Sequence, residues 1–146
     1  MTFTFQGTSD AHLGFFSSTS STSEVYEIVL GGWGNTRSAI RKCTGCENQA
    51  DDYSQNLLSV SEARPFWADA VGGLVQVGTG STVGANVLMQ WQDPDHHVAT
   101  HIGVMTGWGS TGIWNVCDTA GGDHSPSPLP LLVLVPSSLP PSHSLT

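Results

Sequence analysis

Apolar and polar residues alternate in short runs along most of the chain, with a period of two residues. This period is typical of strands that bury one face, and turn-forming residues separate the runs. The runs are Thr2–Gln6, Ala11–Phe16, Glu24–Leu30, Asn35–Lys42, Leu57–Val60, Pro65–Val71, Leu74–Gly78, Val87–Gln92, Val98–Val104 and Ile113–Cys117. Because no stretch of useful length has a helical period, roughly ten short strands predict an all-β fold, an antiparallel two-sheet β-sandwich or jelly roll.

Turn residues predict how some of these strands connect. Residues 7–10 separate the first two strands, and we expect those strands to pair around them. Gly72 and Gly73 would form a tight turn that leads Pro65–Val71 back into Leu74–Gly78. The polar stretch Asp51–Asn56 is interpreted as a loop.

The composition changes abruptly after Asp118. Residues 119–146 contain six of the eight prolines and many serines, and proline cannot donate to a sheet ladder. We therefore predict a β-sandwich domain over residues 1–118 and a disordered tail over residues 119–146. The apolar segment Leu129–Val135 is either a peptide motif for a partner or the product of an incorrectly predicted or alternatively spliced last exon. It is far shorter than the roughly 18–20 residues that a membrane helix needs, so no membrane insertion is expected.

The net charge argues against two classes of partner. Four Lys and Arg against twelve Asp and Glu give a formal charge of −8, which repels nucleic-acid phosphates and anionic membrane surfaces. Residues 1–7 lack the basic start and apolar run of a secretory signal, so the sequence as given predicts a cytoplasmic protein. As part of a longer protein, the same domain would be extracellular.

The three cysteines are an odd number, so at least one thiol is free or pairs outside the chain. Cys43 and Cys46 have the spacing of a redox motif or half a zinc site, but no second such pair accompanies them. The intervening Gly45 indicates a loop. The alternatives are a local disulfide in an oxidising compartment, plain thiols, or a metal or redox role.

Five tryptophans are the most conspicuous candidates for ligand contact. Trp33 and Trp108 each stand between two glycines, where a large ring has small neighbours. Each ring either folds back to cap the end of the sandwich or offers a flat platform for a sugar or isoprenoid ligand. Phe66 and Trp67 are adjacent in a predicted strand, so at least one of them leaves the main core or is covered by a loop.

Polar residues follow Trp33 at alternate positions. Asn35 and Arg37 would project to the same side of a strand, and Arg41 continues that row. Such a row suits a carboxylate or sugar hydroxyls, because guanidinium groups donate paired hydrogen bonds. The alternative is an intramolecular ion pair with one of three acidic residues, Glu24, Glu27 or Asp69.

The segment 91–101 has the highest density of metal-ligating side chains. Asp93 and Asp95 could bind calcium, and the three histidines His96, His97 and His101 could belong to a zinc site, although neither pattern is complete. Asp-Pro-Asp is also a common turn in which Asp93 would cap its own backbone. Alternation would place the imidazoles of His97 and His101 on one strand face that is simply solvated.

Five separated motifs occur in an order that resembles the farnesoic acid O-methyltransferase-like domain of invertebrate proteins. The resemblance spans roughly residues 3–116. The motifs are Tyr26–Arg41, Arg64–Trp67, Val75–Gly78, Trp91–Asp93 and Gly107–Trp114. The resemblance implies a module that often occurs inside longer secreted or membrane-attached proteins, and its name implies a methyltransferase.

The residues themselves do not predict an enzyme. A common S-adenosylmethionine site uses a βαβ unit with a glycine-rich turn that opens a helix. The glycine-rich segment 72–80 contains a strand, and no amphipathic helix follows it. No nucleophile motif is recognisable either. Only Arg37 or Arg41 would serve as a carboxylate clamp for farnesoic acid.

The sequence therefore favours a non-catalytic module that recognises a carbohydrate or a small amphipathic molecule, with no cofactor. The candidate ligand-binding residues are Trp33, Asn35, Arg37, Arg41 and Trp108, and the candidate metal ligands are Asp93 and Asp95. The alternatives are an S-adenosylmethionine-dependent farnesoic acid O-methyltransferase and a structural module of a larger extracellular protein.

Overall fold

Eleven short strands form two sheets in the computed structural model, which describes residues 1–20, 22–117 and 131–133. The strands are β1 (Thr2–Gly7), β2 (Ala11–Phe16), β3 (Val25–Gly31), β4 (Arg37–Arg41), β5 (Asn48–Asp52), β6 (Arg64–Val71), β7 (Leu74–Thr79), β8 (Val87–Gln92), β9 (His101–Thr106), β10 (Gly112–Cys117) and β11 (Leu131–Val133). A single helical turn, α1 (Gly32–Asn35), joins β3 to β4. The first sheet has the order β10-β1-β6-β7-β8, and the second has the order β11-β9-β2-β3-β4-β5. Neighbouring strands are antiparallel except β11 and β9, so the predicted antiparallel β-sandwich is confirmed.

The core lies between the two sheets, where alternate residues of each strand point inward. Phe3 and Phe5 of β1 meet the inward residues of β2 and β3 in one continuous apolar cluster. The other cluster residues on the strands are Ala11, Leu13, Phe15, Tyr26, Ile28, Leu30, Ile40, Phe66, Ala68, Val75, Val77, Met89, Ile102 and Val104. The intervening residues lie on the outer faces, and the outer face of the second sheet carries the candidate site.

The predicted hairpin between the first two strands is wrong. β1 pairs with β6 and β10, whereas β2 pairs with β3 and β9, so residues 8–10 cross from one sheet to the other. The backbone of Asp10 is left-handed, with φ of 54°, and its N–H donates to the carbonyl oxygen of Gly31 in the second sheet. Turn residues fix a change of direction, but they do not specify which strand lies beside the next one.

Two further predictions about strands are wrong. Residues 57–60 form no strand, because the side chain of Asn35 bonds the backbone of Leu58 in both directions, at 2.9 and 3.0 Å. The polar segment 51–56 was predicted as a loop, but Asp51 and Asp52 end strand β5. β5 is an edge strand, so its polar side chains remain partly in water. β9 begins at His101 rather than at Val98.

The hairpin of β6 and β7 is confirmed, with Gly72 and Gly73 at positive φ in its turn. The prediction for Phe66 and Trp67 is confirmed as well. Phe66 joins the core, whereas Trp67 points to the other face and is fully buried. Its indole Nε1 donates to the carbonyl oxygen of Ala85, at 2.6 Å, so the loop after β7 covers the ring.

Most of the predicted tail, residues 119–130 and 134–146, lies outside the described residues, as does residue 118. The exception is β11, whose backbone pairs in parallel with β9 and so differs from the expectation of no regular structure in the tail. β11 falls within the apolar segment of the tail and takes the free edge of β9. Among the described residues, no helix is long and apolar enough to cross a membrane.

Candidate ligand-binding pocket

A pocket of about 380 Å³ lies on the outer face of the second sheet, at the end where β3 turns into β4. Three adjacent strands form its floor through His12 of β2, Val29 of β3 and Arg41 of β4. These residues alternate with inward core residues, so the strand period places all three on the outer face. Loop residues form the walls, namely Asp10, Trp33, Gly34 and Trp108.

The two Gly-Trp-Gly turns have the same backbone conformation. Trp33 and Gly34 have φ of 51° and 70°, and Trp108 and Gly109 have φ of 53° and 78°. Left-handed backbone costs a bulky residue about 1–2 kcal/mol, so each turn is strained at its tryptophan. The glycine that follows adopts the conformation without this cost.

Strained residues concentrate at the pocket. Of six described non-glycine residues with positive φ, three are asparagines and one is Asp10, and both residue types tolerate this conformation. The two residues for which it is costly are Trp33 and Trp108, and both line the pocket. Backbone strain that persists at one site is a mark of functional constraint.

The exposure of the two tryptophans differs. Trp108 is 91% exposed, so its ring contributes little to packing. Trp33 is 46% exposed, and the guanidinium groups of Arg37 and Arg41 lie 4.6 and 5.4 Å from the centre of its ring. Trp33 is therefore fixed partly by cation–π contacts, whereas Trp108 stands free in solvent.

A buried hydrogen-bond network supports the floor of the pocket. The carboxylate of Glu27 accepts from His12 Nδ1 at 2.9 Å, from Arg41 Nη1 at 3.1 Å and from the backbone N–H of Gly45 at 3.0 Å. Burial by itself raises the pKa of Glu27, but these hydrogen bonds outweigh it and lower the pKa below its usual value. Glu27 is therefore a carboxylate at neutral pH, and it orients the imidazole ring.

The other ring nitrogen of His12 has no partner. His12 is only 6% exposed, and its Nε2 makes no hydrogen bond within the described structure. Gly107 lies beside this atom, because a Cβ at that position would be 2.6 Å from Nε2. An unpaired buried polar atom is costly, so this nitrogen makes His12 an unusual residue in the lining of the pocket.

The predicted row of polar residues forms only in part. Arg37 and Arg41 both reach Trp33, but only Arg41 lines the pocket. Asn35 does not join them, because it lies in α1 with φ of 64° and binds Leu58. The expectation that Asn35 continues a strand is therefore wrong.

Both arginines form intramolecular ion pairs. Arg41 pairs with Glu27, one of the three acidic residues that the sequence suggested. Arg37 pairs with Asp51 of β5 at 2.8 Å, a residue outside that set. Neither guanidinium is therefore an unpaired carboxylate clamp.

Asp93 and Asp95 lie away from the pocket, and Asp93 is a structural residue. Its carboxylate accepts from Tyr26 Oη at 3.0 Å, from Lys42 Nζ at 2.9 Å and from the backbone N–H of Asp95 at 3.0 Å. Burial by itself raises the pKa of Asp93, but its partners lower it overall, with Lys42 first among them. Burial and the bond to Asp93 raise the pKa of Tyr26 to about 12. The predicted turn with Asp93 as its cap is confirmed.

The histidines of this segment do not share a solvated face. His97 is 9% exposed and stacks on Tyr26, with 4.0 Å between ring centres, whereas His101 lies at the start of β9. Within the described ranges, no group of three or more His, Cys, Asp or Glu side chains could bind a metal ion. The expected local disulfide does form between Cys43 and Cys46, and Cys117 is exposed and unpaired.

The sequence analysis missed Asp10 and His12, and it named Glu27 only as a possible ion-pair partner of the arginines. The available signal for His12 and Glu27 was a polar residue at an outer-face position of an otherwise apolar strand, as in Ala-His-Leu and Tyr-Glu-Ile. Their contact depends on the pairing of β2 with β3, which the sequence did not predict.

Comparison with known proteins supports the earlier resemblance. A family model described as farnesoic acid O-methyl transferase matches residues 1–120. The chain is also similar to "Uncharacterized protein 5" of Haliotis asinina, with 38% identity over 69 residues, and the match covers 47% of this chain and 39% of that protein. The chain thus spans well under half the length of this relative. No solved structure matches the chain. Because the family model covers most of the chain, this protein belongs to the farnesoic acid O-methyltransferase family.

Proposed function

We propose that this chain is a non-catalytic recognition module that binds a carbohydrate, or another small molecule with apolar and hydroxylated faces, in the pocket between Trp33 and Trp108. The observation that carries the proposal is the strain at Trp33 and Trp108, which line one pocket in left-handed backbone. A fold retains such strain where a site needs it. A hydrogen bond from the Ser110 N–H to the Gly107 carbonyl oxygen closes the turn at Trp108, but packing does not explain why a tryptophan stands there, because its ring is 91% exposed.

The composition of the pocket suits a hydroxylated ring. Indole faces pack against the C–H faces of a sugar, and a volume of about 380 Å³ is at the small end of the range for ligand pockets. Asp10 offers acceptor oxygens and Arg41 is a donor. A sugar hydroxyl both donates and accepts, so it can satisfy either group.

A titration with neutral sugars tests the proposal. Glucose, galactose, mannose and N-acetylglucosamine would be added while the five indole N–H signals are followed by NMR. We expect saturable shifts of the Trp33 and Trp108 signals with at least one sugar and little change for the covered Trp67. The absence of any saturable response would contradict carbohydrate recognition.

The variant Trp33→Ala separates a ligand platform from a core residue. Loss of a platform lowers affinity by about 2 kcal/mol or more, whereas loss of a core indole costs about 3–5 kcal/mol of stability. We expect weakened binding with a folded protein, because the ring is nearly half exposed. Ile113→Ala, at a residue that is 66% exposed on the other sheet, is the control for removal of a surface side chain.

The second candidate is the methyltransferase activity that the family description names. The described residues do not fit the usual S-adenosylmethionine site, because α1 is a single turn and Gly72 and Gly73 form a hairpin turn rather than the start of a helix. We expect no heat signal in a calorimetric titration with S-adenosylmethionine and no methylation of farnesoic acid. Saturable binding in the micromolar range with turnover would favour the enzyme. A purely structural module would bind neither sugars nor S-adenosylmethionine.

A further inference from the structure

The hydrogen-bond network beneath the pocket fixes the charge at its floor. Glu27 is ionised and cannot donate, so the proton of the shared hydrogen bond belongs to His12 Nδ1. In the neutral ring, Nε2 is then an acceptor, and it is buried without a partner beside Gly107. A neutral His12 therefore adds no positive charge to balance the carboxylates at the pocket.

Asp10 is a second acceptor at the same pocket. It is 8% exposed, and the hydroxyl of Ser110, at 3.5 Å, is the one side chain within hydrogen-bonding distance among the described residues. No Lys, Arg or His in the described ranges forms an ion pair with it. A carboxylate that is mostly removed from water and unpaired in charge favours a ligand with a donor or a positive charge.

Arg41 does not offset this preference. Its Nη1 donates to Glu27 and its Nε donates to Asn48, at 2.8 Å, so its charge is already balanced by a buried carboxylate. One cation against the two carboxylates of Asp10 and Glu27 leaves an excess negative charge at the pocket when His12 is neutral. The formal charge of −8 for the whole chain adds a field of the same sign.

We propose, on the basis of the proposed function above, that the pocket selects ligands that present an ammonium or hydroxyl group to Asp10, and that it disfavours carboxylates. An ammonium carries three donors and a charge, so it can pair with this carboxylate. The preferred ligand class is therefore an amino sugar or a similar amine on a hydroxylated ring.

Three sugars with the same pyranose ring but different charge test this selectivity. Glucosamine, glucose and glucuronic acid would be titrated near neutral pH, with the indole signals of Trp33 and Trp108 as the readout. We expect glucosamine to bind roughly fivefold or more tightly than glucose, because hydrogen bonds to a charged partner are about twice as strong as neutral ones. Glucuronic acid should bind more weakly than glucose.

The variant Asp10→Asn tests the origin of the preference. Asparagine tolerates the left-handed backbone of this position, so the variant should fold. We expect the ratio of the glucosamine affinity to the glucose affinity to fall to about one, whatever the change in the glucose affinity itself. Asp95→Asn removes the same charge from a fully exposed side chain outside the pocket and should keep the preference.

A second variant tests the position of His12 at the pocket floor. Gly107→Ala would place a Cβ 2.6 Å from Nε2, so the imidazole must shift and the binding of glucosamine and glucose should fall together. Equal or tighter binding of glucuronic acid, or an unchanged amine preference in Asp10→Asn, would overturn the inference and leave the proposed function standing. Silence of all three sugars also contradicts the inference, and the neutral sugar panel then decides the proposed function separately.

Discussion

Replacement of Trp108 by glycine should remove ligand binding with almost no cost in stability. The ring is 91% exposed, so it buries only about a tenth of the roughly 250 Å² that a fully buried indole removes from water, and the substitution loses that area. At about 25 cal/mol per Å², this area is worth about 0.6 kcal/mol. Glycine adds a cost of about 0.5–1 kcal/mol in backbone entropy. Glycine also relieves the left-handed strain at φ of 53°, which stabilises the folded protein by about 1–2 kcal/mol.

These contributions nearly cancel, so the free energy of unfolding of Trp108→Gly should lie within about 1 kcal/mol of the wild type. The melting temperature should then change by about 4 °C or less. Trp108→Ala keeps the strain and should be the less stable of the two variants. Affinity should fall by roughly 30-fold in both, the equivalent of about 2 kcal/mol for a lost aromatic wall.

Thermal unfolding followed by circular dichroism and sugar titration followed by NMR measure the two effects. Trp67→Ala is the matched control, because this indole is fully buried and its loss should cost about 3–5 kcal/mol of stability. If Trp108→Gly unfolds as readily as Trp67→Ala, then Trp108 is a packing residue. If Trp108→Gly binds as well as the wild type, then Trp108 is not a wall of the site.

Three further predictions concern the support of the pocket and the ends of the fold. Because the folded pKa of Glu27 lies below its ordinary value of 4.5, its contribution to stability is full well above pH 4.5 and disappears as the pH falls below it; Glu27→Gln should therefore show a shallower loss of melting temperature on acidification. Reduction of the Cys43–Cys46 disulfide should weaken ligand binding clearly and lower the melting temperature only slightly, because the loop donates the Gly45 N–H to Glu27. An unchanged affinity in dithiothreitol would show that the loop does not support the site. Deletion of residues 119–146 removes only the three-residue edge strand β11 from the described structure, so the melting temperature should fall by no more than about 4 °C, and a larger drop would show that the tail packs on the sandwich.

The sequence by itself determined most of the strands and identified the two Gly-Trp-Gly turns. Alternation is a local property, and it located β2, β3, β6, β7, β8 and β10 to within a residue or two. The two Gly-Trp-Gly segments were also identified locally, because a tryptophan between glycines is unusual in any fold. Their left-handed backbone then explains why a glycine follows each ring. The strand period also predicted that Arg41 lies on the same side as Trp33, and the structure shows its guanidinium over that ring.

Only the tertiary structure decided which strands are neighbours, and the chemistry of the pocket depends on that. His12 and Glu27 are 15 residues apart and meet because β2 pairs with β3 rather than with β1. Trp33 and Trp108 line one pocket because β9 lies beside β2 in the same sheet and ends at the same edge. Strand pairing is a long-range choice among surfaces of similar hydrophobicity, so local patterns constrain it weakly. For this reason the sequence identified residues that lie within single turns. The buried residues beneath those turns could be placed together only from the tertiary structure.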